Sequence, residues 1–393
     1  MRKIIFALIG CFAVFCAHAA QVVNVDYVHK LIAQKWDISV PIKTNNIMAV
    51  ANMKYLLTAV DVANEILNGE KTTDYGNGEF ATLQVADTVA TIQAVDTLIQ
   101  EPIEYKFFLT TTSTNSFSFS ISAAGKFYVD WGDGKRQTIT KPDTTNTTYS
   151  HNYDTANTYT IGIGGQATAY NTSATTAAIS FYVNDSDTQS KKIASIDGSL
   201  GAIFGTLSSD TNNQPRFNKT FSGASNMTGS IPANLFTGIS GAPAMAMFTY
   251  TFSGCSGLTS IPDDLFAGIF GAPATLMFGT TFSGCSGLTS IPDDLFAGIS
   301  GAPASGMFQS TFSGCSGLTS IPENLFGNIS GTAQSFMFLE TFYNCTSLTG
   351  PSARINGQYL YEIWPDTTWS QVGDMYQNAT GLSDYSSIPS AWK

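Results

Sequence analysis

The decapeptide Ser-Gly-Cys-Ser-Gly-Leu-Thr-Ser-Ile-Pro begins at Ser253 and recurs at Ser283 and Ser313, and a degenerate copy begins at Tyr343. Successive copies are 30 residues apart. Repeats of this length predict an array of stacked units, because one unit cannot bury its apolar face without a neighbour. Such an array offers a long binding surface and no obvious catalytic pocket.

Each unit has the pattern of a strand, a turn and a helix. Residues 288–291 predict a short strand that ends at Pro292, which has no N–H group for a ladder. Residues 293–298 predict one helical turn, and residues 303–312 predict a helix with proline at its first position. The chain from 190 to 393 is therefore expected to form an α/β solenoid with degenerate units as caps.

Four columns of equivalent residues form the candidate core of this array. Parallel stacking would place the members of a column about 4.8 Å apart. Each buried Leu, Ile or Phe would contribute about 1.5 to 3 kcal/mol. The columns are Phe252, Phe282, Phe312 and Phe342; Cys255, Cys285, Cys315 and Cys345; Leu258, Leu288, Leu318 and Leu348; and Ile261, Ile291 and Ile321.

The cysteine column favours buried free thiols. Ala224 and Ala379 occupy this position in the terminal units, so the position requires a small apolar group. Disulfides stay open as an alternative because an even number of cysteines is typical of exported proteins, although parallel side chains suit disulfide geometry poorly. A metal site is the third interpretation.

Acidic pairs follow the Ile-Pro step of two units. Solvated carboxylates at the start of a helical turn are one interpretation, and no metal or cofactor is then expected. The alternative is a calcium-binding stripe, because clustered oxygens suit a hard cation. The residues concerned are Asp263, Asp264, Asp293 and Asp294, continued by Glu323.

Residues 104–189 have an alternating pattern instead. Residues 117–121, 126–131 and 158–163 predict half-buried strands, and Gly-Asp-Gly at 132–134 predicts a hairpin turn. Together these elements predict a small β-sandwich.

The heptapeptide Tyr-Val-Asp-Trp-Gly-Asp-Gly at 128–134, followed by His-Asn-Tyr at 151–153 and Thr-Tyr-Thr-Ile at 158–161, resembles a PKD domain. This family is an immunoglobulin-like module of extracellular proteins. Ala-Asn at 156–157 departs from the family pattern, in which a glycine is common. The resemblance implies a spacer in which the motif is structural, and metal binding by its aspartates is the alternative.

The 30-residue units resemble BspA-type leucine-rich repeats. The family core F-x-x-C-x-x-L-x-x-I is matched by Phe252, Cys255, Leu258 and Ile261 and by their equivalents in later units. This family occurs on bacterial and some protist surfaces and is associated with adhesion to host proteins and other cells, sometimes behind a PKD-like module. The resemblance implies a protein-binding adhesin.

The N-terminus predicts export. Arg2 and Lys3, an apolar stretch and a small-residue site ending at Ala19 have the pattern of a secretory signal peptide over residues 1–19. A lipoprotein signal ending at Cys11 is the alternative. We expect cleavage after Ala19 and a secreted or cell-surface protein.

Residues 20–103 predict a helical N-terminal region. Apolar residues recur at spacings of three and four in 46–67 and 87–100. A helical spacer is the simpler interpretation, and a pilin-like assembly module is the alternative.

Several function classes are disfavoured by composition. A formal net charge of −11 opposes nucleic-acid binding. After the signal, no apolar run reaches the about 18 residues of a membrane-spanning helix. His29 and His151 lie in different predicted domains, and no phosphate loop, zinc motif or nucleophile elbow occurs, so no enzyme activity is expected. A glycosidase-type carboxylate pair stays open, because such pairs meet only in the fold.

Some positions vary between otherwise constant units, and these are the candidates for contact with a partner. Constant positions are explained by stacking, whereas variable ones face solvent or a ligand; plain surface drift is the alternative. Aromatic side chains at variable positions would be the strongest anchors. The candidates are Tyr250, Phe270, Thr280, Gln309 and Glu340.

These patterns predict a non-enzymatic adhesion protein that binds a host or cell-surface protein. One alternative is a protein that binds or degrades carbohydrate, for which a groove of aromatic and acidic residues would be diagnostic. Another is a structural component of a surface assembly, which would self-associate.

Overall fold

The computed structural model describes residues 104–182, 189–207 and 213–393. Ile103–Lys393 forms one compact unit. The predicted signal peptide, with its lipoprotein alternative, and the predicted helical N-terminal region lie outside the described residues.

Strands supply most of the regular secondary structure in the described ranges, and helices supply very little. The strands are β1 (Tyr105–Thr111), β2 (Thr114–Ile121), β3 (Ala124–Asp130), β4 (Arg136–Lys141), β5 (Thr147–Asn157), β6 (Thr160–Ala169), β7 (Ile179–Ser180), β8 (Ile193–Gly198), β9 (Gly229–Ser230), β10 (Leu258–Ser260), β11 (Arg354–Ile355) and β12 (Gln358–Tyr359). The helices are α1 (Leu360–Ile363) and α2 (Trp369–Val372), with 3₁₀ turns at Ser190–Lys192 and Ser390–Trp392.

Two antiparallel sheets occupy the first part of the compact unit. One has the strand order β4-β3-β6-β1-β8, and the other has the order β5-β2-β7. β8 lies beyond the predicted boundary at residue 189 and pairs with β1, placing Asp197 opposite Phe108. The segment that leads into the repeats is therefore an edge strand of the larger sheet.

The buried side chains of the two sheets pack against each other. The rings of Phe119 on β2 and Trp131 after β3 are 5.6 Å apart. Phe181, directly after β7, stacks on Phe107 of β1 at 5.8 Å and on Phe221 of the first repeat at 5.3 Å. One hydrophobic core thus continues from the sheets into the repeats.

The repeats are built from consecutive turns, and the predicted α/β leucine-rich-repeat solenoid is wrong. Thr251 and Ser253 donate their N–H groups three residues back, to the carbonyls of Phe248 and Tyr250. Phe252 instead donates to the carbonyl of Thr281 in the next unit, at 2.9 Å. Backbone bonds therefore alternate between a turn within the unit and the neighbouring unit, and neither type is a helical bond to residue i−4.

Positive φ angles explain why the predicted helix at 303–312 does not form. Gly306, Ser310 and Gly314 have φ angles of 61°, 52° and 73°. An α-helix requires a negative φ at every residue, so a left-handed residue at every fourth position excludes it. Turns of this period still bury residues four apart, such as Phe308 and Phe312, and this spacing imitates a helical pattern.

Phenylalanine rings stack in three columns through the repeats. Successive rings within a column have centroids 5.5 to 6.3 Å apart and planes inclined by only 3 to 12°. Successive rings within a column are therefore nearly parallel. The columns are Phe217, Phe248, Phe278, Phe308 and Phe338; Phe221, Phe252, Phe282, Phe312 and Phe342; and Phe236, Phe266, Phe296 and Phe326.

A buried threonine in each unit joins it to its neighbour. The hydroxyl of Thr281 donates to the carbonyls of Phe278 in its own unit at 2.8 Å and Phe248 in the preceding unit at 2.9 Å. The far end of the stack is covered by Tyr376, whose ring stacks on Phe342 at 6.0 Å and on Trp392 at 6.4 Å. Aromatic side chains therefore close the repeat core at that end.

Candidate functional site

All the predicted column residues are buried, so their side chains are not available to contact a partner. Each cysteine is a free thiol that donates to the carbonyl of a phenylalanine in the preceding unit, as Cys285 does to Phe252 at 3.1 Å. Burial raises the pKa of Cys285 well above its ordinary value and the pKa of Cys345 to about 12. Buried thiols with raised pKa values are poor nucleophiles at neutral pH.

The predicted acidic stripe lies at the surface. Asp263, Asp264, Asp293 and Asp294 are all exposed, and Glu323 lies 3.3 Å from the guanidinium of Arg354. Across the described ranges, no group of three or more His, Cys, Asp or Glu side chains could hold a metal ion.

The carboxylates of the Trp-Gly-Asp-Gly motif contact neighbouring protein groups. Asp133 lies 2.8 Å from Nε2 of His151 and accepts the N–H of Lys135 at 3.0 Å, while the ring of His151 stacks on Trp131 at 5.0 Å. Partial burial acts to raise the pKa of Asp133, but these hydrogen bonds and the electrostatic attraction of His151 and Lys135 outweigh it, so this pKa is lowered. Asp130 accepts the N–H of Gly132. These contacts hold the β3–β4 turn.

Another candidate site is a position that recurs in six successive units of the repeat stack. Interunit hydrogen bonds define the equivalence: the N–H of Thr280 bonds to the carbonyl of Gln309, and that of Glu340 to Gly373. The side chain at this position changes in every unit. We call this set the variable column: Lys219, Tyr250, Thr280, Ser310, Glu340 and Asp374.

Every residue of the variable column has a positive φ, between 52° and 58°. Four residues further along, the equivalent left-handed position has the residues expected there: Gly223, Gly254, Gly284, Gly314, Asn344 and Asn378. This second set is the glycine column. A third left-handed position, four residues before the variable column, also changes from unit to unit: Ala246, Leu276, Gly306 and Phe336.

The variable column carries these side chains at a conformational cost. A left-handed conformation costs an ordinary L-residue about 1 to 2 kcal/mol, and a β-branched residue such as Thr280 is a genuine outlier there. Glycine would cost only about 0.5 to 1 kcal/mol in lost chain entropy. Strained positions of this kind cluster at functional sites, so the column is a site candidate.

The two ends of the variable column differ in charge. At one end, Nζ of Lys219 lies 5.0 Å from the ring centroid of Tyr182 and 5.6 Å from that of Tyr250. At the other end are the carboxylates of Glu340 and Asp374, and Ser310 donates its hydroxyl to Glu340 at 3.1 Å. The column is basic and aromatic at its start and acidic at its end.

The predicted partner-binding candidates do not all lie in one column. Tyr250, Thr280 and Glu340 belong to the variable column, and Tyr250 is 40% exposed. Gln309 precedes Ser310 and is half-buried. Phe270 lies in another column, next to the single-residue bridge between Gly241 and Ile269, and is 55% exposed.

Sequence reasoning missed several residues of these surfaces. Lys219 was missed because the first unit contains one extra residue, and Asp374 because a longer segment separates the last units. Counting back two residues from the phenylalanine of the recurring Phe-x-x-Cys or Phe-x-x-Ala step would have found Lys219. The exposed side chains of Met245, Phe336 and Trp369 were also missed.

The helices within the described residues are all too short or too polar to cross a lipid bilayer. Comparison of the chain with protein-family models, with curated proteins and with solved structures finds no match to any of them.

Proposed function

We propose that this protein is a secreted or cell-surface adhesion protein that binds another protein through exposed side chains of its repeats. The observation that carries the proposal is the contrast between positions. Side chains buried between units are nearly constant, whereas several positions with exposed side chains change from unit to unit and include large apolar groups. Phe270 is the clearest example, because Ser300 and Ser330 occupy its position in the next two units.

The chemistry of the exposed face supports a protein partner. Phe270 and Met245 are 55% and 49% exposed, so each can bury further apolar area on binding. Aromatic anchors surrounded by polar groups dominate the energetics of protein interfaces. Burial of one such side chain is worth about 1.5 to 3 kcal/mol, or roughly 10- to 150-fold in affinity.

The test is a biosensor screen of the purified full chain against extracellular-matrix proteins, with glycans as a second panel. Phe270→Ser reproduces the residue of the next two units, so the fold should be retained. We expect a protein ligand in the panel and at least a tenfold loss of affinity in this variant. Ser330→Thr, at the same position in another unit, is the conservative control and should bind as the unaltered chain does.

Binding to glycans alone would overturn the proposal and favour the carbohydrate-binding alternative. Equal affinity of the Phe270→Ser variant and the unaltered chain for a panel protein would contradict the assigned surface.

A further inference from the structure

The variable column has a self-complementary order of side chains. Hydrogen bonds between neighbouring units place its positions one after another along the stack. Read from the sheets toward the C-terminus, the column carries an ammonium, a phenol, two hydroxyls and two carboxylates. They belong to Lys219, Tyr250, Thr280, Ser310, Glu340 and Asp374 in that order. Tyr250 is exposed and Ser310 is buried, and the other four side chains are half-buried.

We propose that two copies of this chain associate through their variable columns, antiparallel about a two-fold axis. With six positions, the axis passes between Thr280 and Ser310. Lys219 then faces Asp374 of the second copy, and Tyr250 faces Glu340 of the second copy. Thr280 and the buried Ser310 lie nearest the axis, and the contacts on either side of it occur twice, as a two-fold interface requires.

Charge selects this orientation. A parallel arrangement would place Lys219 on Lys219 and Glu340 on Glu340, and like charges in contact are destabilising. The antiparallel arrangement forms two ammonium–carboxylate pairs and lets each Tyr250 hydroxyl donate to a carboxylate, which is a strong class of hydrogen bond. The residue order therefore disfavours the parallel register.

The basic end is already ordered before association. Lys219 lies close to the rings of Tyr182 and Tyr250, at 5.0 and 5.6 Å from their centroids. Side chains held in this way lose less conformational entropy on binding. The left-handed backbone of the column likewise fixes where each side chain leaves the chain, so the strain described above has a use in presenting them.

This inference goes beyond the proposed adhesion function, because it concerns a different partner and does not involve Phe270. The formal net charge of −11 opposes association of two copies over long range. Added salt weakens both this repulsion and the local attraction, so a charge exchange is the sharper test.

The experiment is sedimentation velocity on the purified full chain at increasing concentration. We expect a monomer–dimer equilibrium that Lys219→Glu weakens at least tenfold, since it places acid on acid at both ends. Asp374→Lys alone should weaken it similarly, and the double variant should restore it. Lys191→Glu is the matched control, because Lys191 is an exposed lysine outside the column and the charge change is identical.

A second variant separates association from folding. Thr280→Gly removes a β-branched side chain from a left-handed position, so the melting temperature should hold or rise while dimer affinity falls. Phe270→Ser should leave the dimer unchanged, which distinguishes this interface from the surface of the proposed function.

A monomer at every concentration would overturn the proposal. An equal loss in Lys191→Glu and Lys219→Glu would also overturn it, as would failure of the double variant to restore association.

Discussion

The sheet region and the repeat stack satisfy the same physical requirements in different ways. In the sheets, a residue finds its hydrogen-bond partners on strands far away in the chain: Phe107 lies opposite Ile163 on one side and Gly198 on the other. In the stack, the partner is the equivalent residue of the next unit. A translational repeat can therefore satisfy the backbone with turns alone, without long strands or helices.

Their cores also differ. The sheets bury different side chains that interdigitate, such as Phe119, Trp131 and Phe181. The stack places the same ring over the same ring, as Phe252 over Phe282 at 5.6 Å. Each buried position in the sheets therefore requires its own residue type, whereas in the stack one residue type fills the equivalent buried position of successive units. Positions outside the repeated core are left free to change, and the variable column lies among them.

The largest expected effect comes from deleting a core ring in each region. Phe282→Ala and Phe119→Ala should each lower the free energy of unfolding by about 3 to 5 kcal/mol, because both rings are fully buried. Since the two cores are continuous through Phe181 and Phe221, each variant should speed hydrogen exchange in both regions. The measurement is denaturant unfolding with residue-resolved hydrogen exchange. Effects confined to the mutated region would show that the sheets and the stack unfold independently.

The next effect in size is a pH dependence of the free energy of unfolding. It should come from the stack, because only the stack, of the two described regions, contains buried thiols. Burial raises the thiol pKa in the folded state, so above about pH 8.5 the unfolded chain loses thiol protons first. The free energy of unfolding should then fall by up to about 1.4 kcal/mol per thiol per pH unit, toward the folded pKa of about 12 for Cys345. Urea unfolding between pH 8 and pH 10 measures this slope.

Cys285→Ala is the matched control for the thiol prediction. It removes one thiol, and alanine already occupies this position at Ala224 and Ala379, so the slope should become shallower by one thiol's share. An unchanged slope would refute the link to the buried thiols.

The smallest expected effect belongs to the sheets. Asp133 has a lowered pKa in the folded state, so its contribution is present above about pH 4 and is lost as the pH falls through that folded value. Asp133→Asn should therefore cost about 1 kcal/mol at pH 7, and the difference from the unaltered chain should shrink as the pH falls below about 4. Asp154→Asn is the control, since that side chain is 91% exposed. A difference that stays constant as the carboxylate is protonated would rule out the charge as its cause.

The repeated columns were readable from the sequence because a 30-residue period specifies which residues stack. The backbone conformation of each unit could not be predicted from that period. Phe308 and Phe312 are four residues apart and predict a helix, yet Ser310 between them is left-handed. Apolar spacing reports which side chains are buried, and turns with a period of four produce the same spacing as a helix. Gly314 is as typical of a helix end as of a left-handed turn, so single residues could not distinguish a helix from a series of turns.

Parts of the candidate site needed the structure for a related reason. Tyr250, Thr280 and Glu340 were noted as variable, but Lys219 and Asp374 joined them only once interunit hydrogen bonds fixed the alignment. The charge order of the column becomes visible only with both ends present.

The sequence alone determined that the chain repeats, which residues recur and which vary, because these properties are periodicity itself. The tertiary structure decided that the units are turns, that β8 closes the larger sheet and that six changing side chains share one left-handed position. The physical reason is that a backbone N–H group can bond either to a carbonyl within its own turn or to a carbonyl of the next unit. Which bond forms depends on a neighbour about thirty residues away, and no local sequence pattern contains that neighbour.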